Sequence, residues 1–577
     1  MSRRGTFADI AADLPAGSDL VTTEQNVLDN IKQEIANYDE VVDSARAAVD
    51  AEKSLTLREA LRRYPKAAGW SILLSTAIIM EGFDVVLINN FYALPQFAQK
   101  YGVQLPDGKY TITAPWQAGL SNGAQVGEII GLCINGWSSE RFGYKKTMMA
   151  ALSMMICAIF IPFFAKNIET LLIGEILQGI PWGVFQTLTT AYAAEISPVA
   201  LRPYLTAYVN LCWVIGQVIA SGVLRGVLTW DSQWAYRLPF ALQWLWPAPI
   251  LIGTIFAPES PWWQVRIGRH DAARNTIRSL FNNPTEEEVE NSISLMVHTN
   301  AIEKELSAGT SYWDCFKGVD LRRTEVASGA WMIQNLCGSA FMGYSTFFLE
   351  QAGLATTNAF NLSIAQYALG ICGTLSSWFL MTRFGRRRLY LLGLFGMICF
   401  LVVIGGMGFI STSNSGAQWA IGAMLLAYTA LYDATVGPVC YTIVGEISST
   451  RLRAKTVVIA RVAYNIIGIV NGIIMPYFLN AQKLNWGAKT GWFWAGFCLL
   501  CFIWTFFRLP EAKDRTYGEL DVLFENKVSA RKFATTIVDQ FAGHESSLSP
   551  AGGRVEDIDE KKFVNGNNGD VVHLESI

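Results

Sequence analysis

Ile78-Ile79-Met80-Glu81-Gly82-Phe83-Asp84-Val85-Val86-Leu87-Ile88 is the stretch on which the reading of this chain turns. It lies deep inside an apolar run from about 67 to 92, long enough to cross a bilayer as a helix. Glu81 and Asp84 stand three residues apart and so face the same side of that helix. A charge at the bilayer centre costs about 2.5–3.5 kcal/mol even on the lenient insertion scale. Two acids near the middle of one span should therefore face a water-filled cavity or a basic partner, and they are candidate proton carriers. The plainer reading, that they only glue helices or mark the end of a span, suits acids at the edge of a run better than acids at its middle.

Composition agrees with a chain built around such spans. Of 577 residues, 51% are hydrophobic and only 16% charged, with a mean hydropathy of +0.27; soluble domains carry about 25% charged residues. Repeated apolar runs of about 20 residues exclude a soluble multidomain protein and predict a polytopic membrane protein. The first 60 or so residues are polar, so no cleavable signal peptide is expected and the first span should serve as its own signal. Cys498 and Cys501 form a C-x-x-C on an apolar stretch, which reads as two small hydrophobes and not as a redox or metal pair. The four histidines, His270, His298, His544 and His573, fall in a central loop or in the tail. A metal site and an intramembrane histidine relay are thus not expected. No phosphate-binding loop and no nucleophile constellation is visible, which argues against ATP as the energy source and against an enzyme.

The apolar runs number twelve, near 67–92, 116–137, 147–165, 170–194, 204–228, 238–257, 326–349, 362–382, 388–410, 417–445, 456–479 and 491–508. They divide the chain into a solvated tail (1–66), a six-helix half (67–257), a polar central segment (258–325), a second six-helix half (326–508) and a second tail (509–577). Span 2 carries Gly119, Gly123, Gly127 and Gly131 at intervals of four, a ridge that lets helix backbones approach closely. Gln125 and Glu128 accompany that ridge, so a third buried acid enters the first half. Basic residues crowd one set of loops: Arg141, Lys145 and Lys146; Arg202, Arg266 and Arg269; Arg383, Arg386, Arg387 and Arg388; Arg451, Arg453 and Lys455. The other loops are nearly bare of them. The positive-inside rule then predicts both tails and the central segment in the cytoplasm. Asn361-Leu362-Ser363 has the form of an extracellular glycosylation triplet, but it sits too close to a span for use to be expected.

The two halves repeat. Arg141-Phe142-Gly143 recurs as Arg383-Phe384-Gly385, Glu195-Ile196-Ser197 as Glu446-Ile447-Ser448, and Pro258-Glu259 as Pro510-Glu511, in the same order and with separations of 242 to 252 residues. Two parallel halves place substrate and ion sites near the bilayer midplane between them.

These motifs carry a specific resemblance. Gly136-x-x-x-Glu140-Arg141-Phe142-Gly143-Tyr144-Lys145-Lys146, Pro258-Glu259-Ser260-Pro261-Trp262-Trp263, Arg383-Phe384-Gly385-Arg386-Arg387, Gly437-Pro438-Val439, Glu446-Ile447-Ser448-Ser449-Thr450-Arg451-Leu452-Arg453 and Pro510-Glu511 together resemble the sugar porters of the major facilitator superfamily, over about 70–525. Glu81-Gly82-Phe83-Asp84 and Gly174-Glu175-Ile176-Leu177-Gln178-Gly179-Ile180-Pro181-Trp182-Gly183 resemble the fungal α-glucoside:proton symporters, the maltose permease group. The resemblance implies an all-α membrane protein with 12 transmembrane helices in two six-helix halves. It also implies a proton as the coupling ion with no other cofactor, and residence in the plasma membrane as a monomer among lipids, with no nucleic-acid partner.

Site residues follow from the same resemblance. Many sugar porters carry Arg where Glu175 stands, so the cation nearest the acids is missing here. Arg461 in span 11 is the remaining candidate to balance some of Glu81, Asp84 and Glu128. Position alone fits snorkelling to cytoplasmic water as well; the resemblance favours proton coupling. Sugar contacts map to Asn210 and Gln217 in span 5, Gln334, Asn335 and Tyr344 in span 7, Tyr441 in span 10, and Tyr464 and Asn465 in span 11. Interhelical hydrogen bonding is the plainer use of each. Tyr441 stands where hexose porters often have Trp, and Ala340 where they have Asn, which would make room for a second sugar ring. Glu140, Arg141, Glu195, Arg202, Arg383, Arg386, Glu446, Arg451 and Arg453 are expected to form ion pairs that shut the cytoplasmic face when the cavity opens outward. The resulting expectation is a proton-coupled importer of α-glucosides such as maltose, trehalose, sucrose or maltotriose. Its rivals are a nutrient sensor of transporter architecture and a proton-independent facilitator.

Overall fold

The fold is seen in a computed structural model, which describes residues 37–538, apart from short stretches at 107, 199–200, 308–310, 411–413, 450–451, 481, 514, 516–519, 521–522 and 525, and residues 555–557. The main helices are α1 (Pro65–Phe91), α2 (Ala114–Phe142), α3 (Tyr144–Phe164), α4 (Ile168–Ile196), α5 (Arg202–Val227), α6 (Trp234–Phe256), α7 (Gly318–Leu336, continued by Ala340–Gly343 and Ser345–Gln351), α8 (Thr356–Arg383), α9 (Arg386–Met407), α10 (Ser415–Ile447), α11 (Arg453–Leu479) and α12 (Thr490–Arg508). Among the described residues, nine helices are long and apolar enough to cross a membrane. The helices α2, α4 and α7 are not among them. Asn122, Gln125 and Glu128 in α2 and Glu175, Gln178 and Gln186 in α4 lower the mean hydropathy of those helices, while α7 opens on Asp320, Arg322, Arg323 and Glu325 and is broken at Gly338.

Glycine decides the tightest crossings. A Cβ on Gly127 would strike the Ile176 carbonyl of α4 and lie 2.8 Å from the Gly179 Cα; Gly131 meets the Ile180 carbonyl, and Gly179 and Gly183 meet Ala124 and Glu128 of α2 in return. The ridge on span 2 thus does bring two backbones together, at Gly127 and Gly131; Gly123 packs on side chains and Gly119 barely touches α4. Gly82 of α1 and Gly216 of α5 form a second such crossing. The first six helices meet the last six chiefly where α2 packs on α11 and α5 on α8.

Four helices of the bundle are interrupted. α1 breaks at Thr76, α6 at the 3-10 turn Gln243–Leu245, α7 at Gly338, whose φ of +102° suits only glycine without strain, and α10 at Thr435. A break frees carbonyls that cannot reach water, so they need donors from neighbouring helices. The Gln334 amide donates to the Gly437 carbonyl at 2.6 Å, and the Tyr428 hydroxyl to the Cys337 carbonyl at 3.0 Å.

The repeated motifs meet in space. Glu259 accepts the Tyr144 amide N–H at 2.9 Å at the start of α3, and Glu511 accepts the Arg386 amide N–H at 2.8 Å at the start of α9. Each Pro-Glu thus caps the helix that follows the Arg-Phe-Gly of its own half, where the helix N-terminus favours an anion.

Two expectations change. The segment read as a polar loop is helical: Pro261–Arg266, His270–Leu280 and Glu286–Ser307 enclose a small core of Val265, Ala273, Ile277, Val289, Ile293 and Met296. Nor is all of the first tail solvated. The helix Tyr38–Ser54 packs along Glu286–Ser307, and Tyr64 stacks edge-on against Phe281 at 4.4 Å; residues 1–36 lie outside the described residues. The chain is also not purely helical, because Val103–Gln104 pairs antiparallel with Tyr110–Thr111, and Thr536–Val538 with Val555–Asp557.

Candidate functional site

Between the first and last six helices lies a cavity of about 220 Å³. Asn210, Gln217, Gln334, Asn335, Tyr344, Tyr441, Tyr464 and Asn465 all line it, as do Asp84, Glu128 and Arg461. Residues from six helices that sequence reasoning assigned one by one therefore share one wall-to-wall space. Glu81 does not line it; it is fully buried behind.

The polar groups are not equally free. Asn335 donates to the Tyr464 carbonyl at 2.9 Å and receives the Asn471 amide on its own carbonyl at 2.7 Å. With Gln334 bound to Gly437, the span 7 amides spend their donors on backbone, and the plainer use of these residues holds in part. Asn210 and Gln217 make no hydrogen bond within the protein among the described residues, and they keep their full capacity for a ligand. The Asn465 amide nitrogen is buried without a partner. Tyr344 stacks on Tyr92 with centroids 6.2 Å apart.

Arg461 does not snorkel. Its guanidinium lies 4.7 Å from the Trp331 ring centroid and 4.6 Å from that of Tyr464, and its Nη2 donates to Gln186 Oε1 at 2.7 Å. Gln186 in turn donates through Nε2 to Glu81 Oε1. One amide thus links an acid of α1 to a cation of α11 across the two sets of helices. The charges acting on Arg461 are those of Glu81 and Glu128. Asp84 faces other partners: its Oδ1 accepts the Gln243 amide, and it lines the cavity together with the neighbouring Glu175 carboxyl. The sequence reading had Arg461 balance some of Glu81, Asp84 and Glu128; in the structure Gln186 ties it to Glu81, while Asp84 faces Gln243 and Glu175.

Sequence reasoning missed Gln186, Gln243 and Asp433 as site residues. Asp433 lines the cavity from α10, its carboxylate seated against Gly370 and Gly373 of α8. An acid inside an apolar run was the signal that singled out Glu81, and it stood at 433 too.

The gate residues are placed only in part by the described residues. Glu195 accepts from Arg266 Nη2 at 2.8 Å, from the Tyr144 hydroxyl at 2.9 Å and from Ser260. Glu446 pairs with Arg386 at 2.7 Å. Both pairs stay within one set of helices, because each acid finds the basic residue of its own repeat nearer than that of the other. Arg141 lies over Trp137 and Phe142, at 5.6 and 5.8 Å, while Glu140 and Arg383 are exposed. Arg451 lies outside the described residues, as do the side chains of Arg202 and Arg453. Among the described residues, no salt bridge joins the two sets of helices at this basic end. The ties between them cluster at the opposite end: Asn480 donates to the Ile112 carbonyl at 2.9 Å, Arg225 to Asn361 Oδ1 at 2.8 Å, and Tyr92 packs on Tyr344 and Phe347. Asn361, the residue of the glycosylation triplet, is thereby engaged in holding that end. As a partly buried clamp between α9 and α10, the Arg386–Glu446 pair should contribute about 1.5–3 kcal/mol. Arg386→Ala is expected to lower the melting temperature of the purified protein, and the exchanged pair R386E/E446R to recover part of it; an unchanged melting temperature in Arg386→Ala would remove the clamp.

Comparison with known proteins bears on what such a cavity is for. Residues 70–524 match the family model described as "Sugar (and other) transporter". A general alpha-glucoside permease of Saccharomyces cerevisiae is 45% identical over 520 residues, 89% of this chain and 84% of the permease. A maltose permease of the same organism is 44% identical over 518 residues, again 89% and 84%. Among solved structures, the proton:xylose symporter XylE bound to 6-bromo-6-deoxy-D-glucose superposes with a TM-score of 0.65 at 19% identity, covering 80% of this chain and all of that one. XylE from E. coli in a partially occluded inward open conformation gives 0.62 at 18% identity, over 78% of this chain and 99% of the other. At those identities the likeness is one of fold, that of a major facilitator sugar transporter. By the extent of the family match and of its curated relatives, the chain belongs to the sugar transporter family.

Proposed function

We propose that this protein imports α-glucosides across the plasma membrane together with protons, by alternating access of two six-helix halves. In this reading α2, α4 and α7 cross the membrane with the nine more apolar helices, giving twelve spans with both termini and the helical central segment in the cytoplasm, and the protein works as a monomer in lipid. The observation that carries the proposal is a cavity where uncommitted amides and aromatic rings meet buried acids and the half-buried Arg461. Each sugar hydroxyl that leaves water needs a hydrogen-bonding group to replace it, and Asn210 and Gln217 supply such groups. Tyr441 and Ala340, both on the cavity wall, leave the width that a second ring needs. The relatives named for α-glucosides and maltose support the substrate class. A facilitator would have no use for acids buried beside the sugar.

The test is uptake of labelled maltose by cells without their own sugar transport, with unlabelled maltose, trehalose, sucrose and glucose as competitors and external pH recorded. The disaccharides should compete more strongly than glucose, and maltose addition should alkalinise the medium. Glucose outcompeting every disaccharide would overturn the substrate class; uptake with no proton movement would overturn symport.

A further inference from the structure

Glu175 is a fully buried acid in α4 to which none of the preceding roles applies. Neither of its carboxyl oxygens receives a hydrogen bond from an N–H or hydroxyl donor. The Asp84 carboxyl stands beside it, and the two acids line the same cavity. Two carboxyl groups can hydrogen-bond to each other only if one of them holds a proton, and two carboxylates in contact away from water cannot both ionise. The surroundings decide which one holds it. Asp84 Oδ1 already accepts the Gln243 amide, the kind of donor that an ionised carboxylate needs. Glu175 has no such donor, and a buried ion without hydrogen bonds is the arrangement that proteins avoid. The other titratable groups facing the pair are Glu128 of α2, Glu81 on the same helix as Asp84, and the Tyr92 hydroxyl. None of these brings positive charge. Arg461 is tied through Gln186 to Glu81, and among the described residues neither Asp84 nor Glu175 forms an ion pair.

We propose that Glu175 keeps its proton throughout the transport cycle and donates its O–H to the Asp84 carboxylate, positioning the group that takes up the coupled proton. The proposal rests on the symport reading. The coupled proton forms an O–H bond on Asp84 from cavity water; that bond breaks heterolytically when the proton is returned to water on the other side, and the Glu175 O–H is not exchanged in the step. Glu175 is thus a positioning residue and Asp84 the proton carrier. Where many sugar porters hold their acid with an Arg, this chain would hold it with a neutral acid, a donor of the same hydrogen bond without the charge.

The proposal separates two substitutions that a general structural role would not. Glu175→Gln replaces the O–H by an amide N–H of nearly the same shape and should keep coupled accumulation within about two-fold of wild type, because a neutral donor still faces Asp84. Glu175→Leu removes the donor and should lower accumulation at 100 mV from about fifty-fold to about one, the loss also expected of Asp84→Asn, while exchange of labelled for unlabelled sugar in proteoliposomes persists. Glu175→Gln that exchanges sugar but no longer accumulates it would make Glu175 itself a carrier and overturn the proposal; so would a Glu175→Leu variant that accumulates normally. Should the Leu variant not assemble, infrared spectroscopy decides. The carbonyl band of protonated carboxyls, measured at a pH high enough that sugar-driven proton uptake has ceased, should lose the component of one carboxyl in Glu175→Gln relative to wild type. A band unchanged by the substitution would overturn the proposal. Failure of the symport reading is distinguishable, since wild type would then show no sugar-driven proton movement.

Discussion

Gly127→Val should yield almost no folded transporter. The valine Cβ would lie 2.8 Å from the Gly179 Cα and run into the Ile176 carbonyl, both backbone atoms of α4. No rotamer change relieves a clash with main chain, so α2 and α4 must separate. The neighbouring contacts of Gly131, Gly179 and Gly183 depend on the same approach and would loosen with it. Association of helices in lipid has no hydrophobic drive of its own and rests on such close packing. The loss should exceed the 4–5 kcal/mol or so that marks exceptional substitutions. It should also reach the chemistry, because α2 carries Glu128 and α4 carries Glu175 and Gln186. The measurement is the monodisperse fraction of fluorescently tagged protein on size exclusion, with Gly136→Val as the control; a Cβ at Gly136, on the same helix, meets nothing within 4 Å. Equal yields from the two variants would show that the crossing does not limit assembly.

What the sequence makes legible here depends on whether a residue's meaning is local. The glycine ridge of α2 is visible from spacing alone, yet spacing cannot say that Gly127 and Gly131 take the backbone contact while Gly119 does not, because that depends on where α4 crosses. The Pro-Glu pairs were legible as repeats, but their work as caps of α3 and α9 required the helix that follows an Arg-Phe-Gly to lie beside the end of the half. The cavity residues were legible through the resemblance, which fixes positions. What it could not fix was which donors are already spent: Gln334 looks like a sugar ligand until the fold sets its amide against the Gly437 carbonyl of α10. Charge was hardest to read. Glu81, Asp84, Glu128 and Arg461 look like one network in one dimension, and only the side on which Gln186 and Gln243 enter divides them into two. The helical central segment was read as a loop because its helices are polar on most faces and bury only one small core.

Arg461→Ala should be the most damaging single substitution that leaves the backbone alone. The guanidinium is the cation that acts on Glu81 and Glu128, it lies against two aromatic rings, and through Gln186 it ties α11 to α4. Removing one partner of a buried charge arrangement costs about 3–5 kcal/mol, since the remaining charge is left without compensation. Loss of the tie to Gln186 should also impair the change of state itself. Exchange of sugar should therefore fall together with accumulation, whereas Asp84→Asn is expected to lose accumulation and keep exchange. Arg461→Lys keeps the charge but not the planar fork that both stacks on Trp331 and Tyr464 and donates to Gln186, and it should fall between Ala and wild type. Charge and geometry can then be separated by neutralising the acids. In the triple variant Arg461→Ala, Glu81→Gln, Glu128→Gln, no buried charge is left unbalanced at this cluster, so the melting temperature should recover toward wild type while exchange stays impaired for want of the link between α4 and α11. A triple variant no more stable than Arg461→Ala alone would mean that Arg461 holds the protein through its ring contacts and not through charge.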